Sequence, residues 1–142
     1  MAKVFLDGDV LLDIFLEREP HHTLALRLLS HLVRSKTDCL TSPVVLANMN
    51  YLLAKAKGRE YALGKLRGLR QMVRVAGIDE AIVDAALADP QKDLEDSMQL
   101  HCAIATGAET LMTRNVRHFP KDRIKVIDPA QHLGSQAATK KG

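Results

Sequence analysis

Two clusters of acidic side chains lie far apart in the chain, and each stands where a helix is predicted to begin. The first, DGDVLLD at residues 7–13, directly follows a short apolar run, and the second, DLED, occupies residues 93–96. Carboxylate oxygens are the ligands that Mg²⁺ and Mn²⁺ prefer in proteins. Crowded carboxylates repel one another by about 1 kcal/mol per pair at 4 Å even in water, and a cation relieves that repulsion. We therefore predict a divalent-metal site formed by Asp7, Asp96 and Asp93.

A metal held by these groups can activate a water for attack on a phosphodiester and stabilise charge on the leaving oxygen. Asp7 is the strongest candidate, because a carboxylate directly after a buried strand is costly without a function or a partner. Asp9 and Glu95 are supporting candidates. Both also have a structural interpretation, in which Asp9 caps a helix and Glu95 favours a helix N-terminus through the helix dipole.

Polar side chains in two further segments are predicted to reach the same place. Asn48 lies inside an otherwise apolar helix, where an amide is out of place unless it forms a hydrogen bond. Thr113 and Asn115 come after the fourth predicted strand, so their side chains would point into the same crevice. The alternatives are a satisfied core amide for Asn48 and an ordinary turn residue for Asn115.

The elements that must position these groups alternate between strand and helix. Ser42 and Pro43 supply a helix cap and a first helical residue, and Gly58 ends that helix. The alternation predicts an α/β fold with one mostly parallel five-stranded sheet and helices on both faces. Strands are predicted at residues 3–6, 38–41, 73–76, 110–113 and 125–127. Helices are predicted at residues 10–16, 23–34, 44–57, 59–72, 79–87 and 94–106.

The composition indicates a single folded domain. The chain has 142 residues, of which 46% are apolar, and we place the domain at residues 1–133 with a disordered tail at residues 134–142. No apolar stretch approaches the roughly 20 residues that span a bilayer, which favours a cytoplasmic protein without a membrane segment. Cys39 and Cys102 have no partners at metal-ligand spacing, so we expect two buried reduced thiols.

The charge balance mildly favours a polyanionic partner, since the net charge is +3 and the sequence pI is near 9.0. Aromatic residues are few and Trp is absent, so a nucleic acid would be held through its backbone rather than by stacked bases. A basic helix face is typical of a solvated surface and does not by itself indicate binding. That face comprises Arg59, Lys65, Arg67 and Arg70.

With these segments in order, the chain resembles the PIN domain family, which includes many metal-dependent ribonucleases and the VapC-type toxins of toxin-antitoxin pairs. The resemblance covers residues 4 to about 120. It rests on FLDGDVLLD at residues 5–13, LAN at residues 46–48, DLEDS at residues 93–97 and LMTRNVRHF at residues 111–119.

The resemblance implies a three-layer α/β/α fold, a Mg²⁺ or Mn²⁺ ion in the acidic pocket and endonucleolytic cleavage of RNA. It also implies a homodimer and an antitoxin partner, and an arginine is the natural side chain for that partner to push into a pocket of carboxylates.

The resemblance also assigns a catalytic set, namely Asp7, Asp96, Asn48 and Asn115. Asp7 matches the first acid of the family pattern and Asp96 the third. Asn48 stands where many members carry a glutamate, so the pocket loses a negative charge unless a neighbouring carboxylate turns inward. Asn115 stands where members carry Asp or Asn, and His118 replaces an Asp that often precedes the phenylalanine.

Two other functions stay open at this point. A catalytically weak PIN domain that only binds RNA or a partner protein would explain the two amides in the pocket. A haloacid-dehalogenase-type phosphatase would use the Asp-x-Asp of Asp7 and Asp9 as nucleophile and acid. That enzyme class also needs a lysine and a late aspartate pair after a strand, whereas Asp93 and Asp96 precede a helix without a clear strand before them.

Overall fold

The computed structural model describes residues 2–89, 91 and 93–141, with side chains described up to residue 135. Within these residues the strands form one sheet in the order β3-β2-β1-β4-β5, and all neighbouring pairs are parallel. The strands are β1 (Lys3–Leu6), β2 (Asp38–Thr41), β3 (Arg74–Val75), β4 (Thr110–Met112) and β5 (Lys125–Ile127). The α/β fold predicted from the alternation is confirmed.

Helices connect β1 to β2, β2 to β3 and β3 to β4, which is the usual connection between parallel strands. The helices are α1 (Gly8–Phe15), α2 (His21–Arg34), α3 (Pro43–Lys57), α4 (Arg59–Leu69), α5 (Glu80–Ala88), α6 (Leu94–Ala105) and α7 (Pro129–Lys141). A short 3₁₀ turn, Val116–His118, lies between β4 and β5. Among the described residues, no helix combines the length and the apolar character needed to cross a membrane.

The sheet separates two apolar cores because successive side chains of β1 point to opposite faces. Val4 and Leu6 pack with α1, α2, α3 and α4 in one core. Phe5 packs in the other core, which contains Leu100 from α6. The resulting three layers match the arrangement expected from the resemblance. Cys39 and Cys102 are buried and free, one in each core, as predicted.

The strand order changes direction beside β1, which pairs with β2 on one side and β4 on the other. The chain leaves β3 through α5 and α6 and returns on the far side of β1 as β4. Connections from the carboxyl ends of β1 and β4 therefore diverge and leave a crevice between them. Asp7 and Thr113 directly follow these two strands, and the backbone N–H of Asp7 donates to the carbonyl of Met112 at 2.9 Å.

The local signals for α3 are confirmed. Ser42 accepts a hydrogen bond from the N–H of Val45, Pro43 is the first helical residue, and Gly58 ends the helix with φ +92°. The cap of α1 differs from the prediction, since Asp7 rather than Asp9 accepts from the N–H of Gly8. Asp9 lies within the first turn of that helix, so its carboxylate does not cap the helix.

One other predicted boundary is wrong. Helix α4 ends at Leu69 instead of residue 72, because the next residues form a turn in which Met72 and Val73 both donate to the carbonyl of Leu69. Helix α7 continues to Lys141, and the division into a domain at residues 1–133 and a tail at residues 134–142 stays a prediction. The segment 136–141 reads QAATKK, and Ala, Gln and Lys are good helix formers.

Candidate active site

A cleft of about 280 Å³ lies at the crevice beside β1 and collects side chains from four separate segments. Most of the residues predicted to form a site line it, and Thr113 lies directly beneath them. The lining residues are Asp7, Gly8, Asp9, Leu12, Arg18, Asn48, Asp93, Glu95, Asp96, Arg114, Asn115 and His118.

Asp7 lies at the bottom of the cleft and is only 7% exposed. Its Oδ1 accepts from the N–H of Gly8 at 2.8 Å, and its Oδ2 accepts from the hydroxyl of Thr113 at 2.9 Å. The pKa of Asp7 is raised from 3.8 to about 7, first by burial and then by the nearby carboxylates of Asp9 and, more weakly, Asp96, while these two hydrogen bonds oppose the rise. The charge of Asp96 therefore reaches Asp7 across the cleft.

Asp9 lies near Asp7 in the cleft, and only one of its two carboxylate oxygens accepts hydrogen bonds within the described residues. Its Oδ2 accepts from the N–H of Arg114 at 3.0 Å and from the hydroxyl of Thr113 at 3.3 Å. Its Oδ1 is buried without a hydrogen-bond partner among the described residues. Burial raises the pKa of Asp9, while the Arg114 guanidinium opposes that rise.

Asp96 comes from the first turn of α6, which begins at the cap residue Asp93. Burial and the neighbouring carboxylate of Asp93 raise the pKa of Asp96 to about 6, against the opposing effect of His118. Oδ2 of Asp96 lies 3.3 Å from Nδ1 of His118, but it has no partner with hydrogen-bond geometry in the described part of the chain. Asp93 uses Oδ1 to accept from the N–H of Asp96 at 2.7 Å, so that oxygen serves the helix.

Asn48 is exposed at the rim of the cleft, so the interpretation as a core amide is wrong. Its Nδ2 donates to Oε1 of Glu95 at 3.2 Å. Burial and the charge of Asp93 raise the pKa of Glu95, and the hydrogen bond from Asn48 opposes this. Asn48 thus holds the carboxylate of Glu95 in place, whereas the family pattern often has a glutamate at the position of Asn48 itself.

Asn115 serves as a turn residue and also lines the cleft. Its N–H donates to the hydroxyl of Thr113 at 3.0 Å, and the 3₁₀ turn begins directly after it. The side chain makes no capping hydrogen bond. The two interpretations offered by the sequence are therefore compatible.

A buried ion-pair network beside the cleft was not singled out from the sequence. Asp13 is fully buried and is paired with Arg18 and Arg114. One signal was available, because Asp13 lies four residues after Asp9 in an apolar helix, and a buried acid needs a cationic partner. The sequence pattern does not identify the partner, since residue 114 is brought near by the folding of β4 beside β1.

The donor set of the cleft fits a hard cation that keeps part of its water shell. No group of three or more His, Cys, Asp and Glu side chains is arranged to hold a metal within the described residues. Mg²⁺ typically takes only one or two carboxylates, with waters and phosphate oxygens completing its shell. Asp7, Asp96 and the unpartnered Oδ1 of Asp9 supply such oxygens, and their mutual repulsion favours a cation.

Comparisons with known proteins agree with this geometry. The chain is 28% identical over 125 residues to Ribonuclease VapC1 of Aquifex aeolicus (strain VF5), covering 84% of this chain and 86% of that protein.

Solved structures with the same fold include toxin-antitoxin complexes. VapBC2 from Rickettsia felis, bound to a promoter DNA fragment, matches with a TM-score of 0.70 at 17% identity, over 89% of this chain and 98% of that one. DNA-bound VapBC from Salmonella typhimurium matches with a TM-score of 0.70 at 17% identity, over 91% and 99%. VapC20 of Mycobacterium tuberculosis, described as a toxin that cleaves the sarcin-ricin loop, matches with a TM-score of 0.63 at 20% identity, over 84% and 91%.

These likenesses in structure concern the fold, and the family follows from the sequence itself. Residues 3–117 match the PIN domain family over most of the chain, including every residue that lines the acidic cleft except His118. The chain belongs to the PIN domain family.

Proposed function

We propose that this chain is a metal-dependent endoribonuclease that hydrolyses RNA phosphodiester bonds. The observation that carries the proposal is the convergence of Asp7, Asp9 and Asp96 in one cleft, where the carboxylates of Asp9 and Asp96 raise the pKa of Asp7. The name of the similar Aquifex aeolicus ribonuclease supports the reaction class. We assign this function to a nuclease domain at residues 1–133.

Asp7 and Asp96 are the residues that would hold Mg²⁺ or Mn²⁺, with waters and phosphate oxygens completing the shell. Asp9, Asp93 and Glu95 add negative charge around them. Such an ion, when bound, lowers the pKa of a water and neutralises charge on the phosphodiester oxygens. Thr113 donates to Asp7 and Asp9 and so fixes the spacing of the two carboxylates.

Substitution of Asp7 by Asn tests the proposal. The variant should lose more than about 100-fold of its Mn²⁺-dependent RNA cleavage, because residues that merely support a ligand already contribute up to that much. Asp79→Asn is a matched control, since Asp79 caps α5 at an exposed position outside the cleft. Unchanged turnover in the Asp7 variant would refute the assignment.

The second candidate function is a catalytically weak PIN domain that binds RNA or a partner protein. The amides Asn48 and Asn115 in the cleft favour it. Titration calorimetry with Mg²⁺ and Mn²⁺ separates the candidates, because measurable ion binding that is lost in Asp7→Asn counts against a purely binding role. Membership of the PIN domain family leaves the phosphatase alternative without support.

We also propose that the chain is the toxin of a VapBC-like pair and that it acts in the cytoplasm as a homodimer with an antitoxin partner. The similarity to VapBC complexes supports the partner. Coexpression with the product of an adjacent antitoxin-like gene should yield a stable complex whose RNA cleavage is suppressed. Light scattering on the isolated chain measures the dimer directly, and a monomer at micromolar concentration would contradict it.

A further inference from the structure

The buried carboxylate of Asp13 holds two arginines that reach it from different parts of the chain. Arg114 contacts it through Nε at 2.5 Å and Nη2 at 3.2 Å. Arg18 contacts it through Nε at 3.0 Å and Nη2 at 2.9 Å. Only 1% of the Asp13 side chain is exposed, so both arginines are anchored on a buried carboxylate.

The network carries more positive than negative charge. The three side chains Asp13, Arg18 and Arg114 together have a net charge of +1, and the Arg114 guanidinium also acts on the carboxylate of Asp9. The arginines are not sealed in, because the side chain of Arg18 is 42% exposed and that of Arg114 is 30% exposed. Both line the acidic cleft.

Each arginine also keeps unused donors. In both arginines, Nε and Nη2 contact Asp13. The Nη1 atoms of Arg18 and Arg114 form no hydrogen bond within the described residues. A guanidinium group has five N–H donors in a planar fork that matches the oxygens of a phosphate. The free edges therefore form a cationic surface in a cleft that otherwise repels anions.

A phosphodiester needs such a surface beside the acidic residues. RNA carries one negative charge per nucleotide, and the cleft lining contains five carboxylates: Asp7, Asp9, Asp93, Glu95 and Asp96. We propose that Arg18 and Arg114 bind a backbone phosphate of the RNA substrate next to the acidic residues, and that Asp13 is the positioning residue for both. The substrate class rests on the ribonuclease function proposed above, but the phosphate site does not depend on catalysis.

Arg18→Ala tests the phosphate site while Arg114 keeps its two bonds to Asp13. The measurement is binding of a fluorescein-labelled single-stranded RNA oligonucleotide in EDTA, where cleavage does not interfere, over a series of salt concentrations. Loss of one phosphate contact should weaken binding about 5-fold to 10-fold and reduce the slope of log K against log salt by about 0.7. Arg18→Lys should retain most of that slope, because the charge remains.

The matched control is Arg27→Ala, which removes an exposed arginine of α2. That variant should leave both affinity and slope unchanged. If the contact between Arg18 and Asp13 only stabilises the fold, Arg18→Ala should instead lower the melting temperature without changing RNA affinity.

The outcomes separate this site from the ribonuclease proposal. If the protein cleaves no RNA but Arg18→Ala still reduces the salt slope, the phosphate site stands and the ribonuclease proposal falls. If the protein cleaves RNA but Arg18→Ala changes neither affinity nor slope, the phosphate site is overturned. Failure of the unsubstituted protein to bind RNA in EDTA overturns it as well, because the site requires no metal.

Discussion

At the scale of single residues, the cleft buries carboxyl groups close to one another, which makes their charged form unfavourable. Asp7 is nearly buried beside other carboxylates, and both conditions raise its pKa, to about 7. The folded protein therefore binds the Asp7 proton more tightly than the unfolded chain, whose ordinary value is 3.8. A group with a raised folded-state pKa contributes stability at low pH, and that contribution is lost as pH rises through the folded value.

We accordingly predict that the metal-free protein becomes less stable between about pH 4 and pH 7. The loss due to Asp7 should be roughly 1–3 kcal/mol, and Asp7→Asn should remove it. Thermal unfolding in EDTA across this range measures the effect. Asp79→Asn should retain the wild-type pH dependence, and identical curves for wild type and Asp7→Asn would contradict the prediction.

Asn48 offers a second prediction. Asn48→Glu places a new carboxylate beside Glu95, which should tighten Mn²⁺ binding by about 5-fold, since one added charge near a surface site contributes on the order of 1 kcal/mol. The same repulsion should lower the metal-free melting temperature. Calorimetry measures the affinity, and Glu95→Gln should weaken it. An unchanged Mn²⁺ affinity in both variants would show that charges at the positions of Asn48 and Glu95 do not influence the bound ion.

Single residues also mark where the sequence stops being informative. Asp7 was recognisable because it directly follows a buried strand, and Asp96 because it begins a helix. The roles of Arg18 and Arg114 were not, because an arginine on its own does not indicate which carboxylate it will contact. For Asn48 the sequence left two positions open, the crevice and the core, because the surrounding apolar residues face the core while Asn48 itself lies at the cleft rim.

At the scale of secondary structure, Ser42 links two elements. Its hydroxyl accepts from the N–H of Val45 and donates to Oε1 of the buried Gln99 at 2.5 Å. The same residue therefore caps α3 and ties it to α6, which carries Asp96. Nε2 of Gln99 is buried without a partner among the described residues.

We predict that Ser42→Ala destabilises the protein by about 2–3 kcal/mol, because it removes a cap and leaves a buried amide unpaired. Asp79→Ala should cost only about 1 kcal/mol, since Asp79 caps α5 at an exposed position. Urea unfolding of the two variants gives the comparison. Equal losses would show that the bond to Gln99 contributes nothing.

Boundaries were predictable at this scale where a cap or a breaker marks them, as at Ser42 and Gly58. They were not where packing decides, as at the end of α4. The cap of α1 was misassigned because Asp7 and Asp9 are chemically identical, and only the backbone conformation shows which one accepts from the helix N–H groups.

At the scale of the whole molecule, the sheet is ordered around β1. This strand is paired on both sides, whereas β3 and β5 form the edges and β3 has only two residues. The parallel arrangement was predictable from the alternation of elements. The strand order was not, because no local pattern tells on which side of β1 the chain returns after α6.

We predict that amide hydrogen exchange is slowest in β1 and β4 and much faster in β3. Central strands open only with the whole domain, while short edge strands open locally. Exchange followed by mass spectrometry at neutral pH measures the order. Protection of β3 equal to that of β1 would contradict this hierarchy.

The cleft gathers groups from residue 7 to residue 118. Translation adds Asp7 before Arg114 and His118, which follow helices α1 to α6 and strands β2 to β4 in chain order. A partly synthesised chain therefore lacks one wall of the cleft, including the arginine that completes the pair on Asp13. The cleft thus becomes complete only in chains that extend past His118 and have folded β4 beside β1.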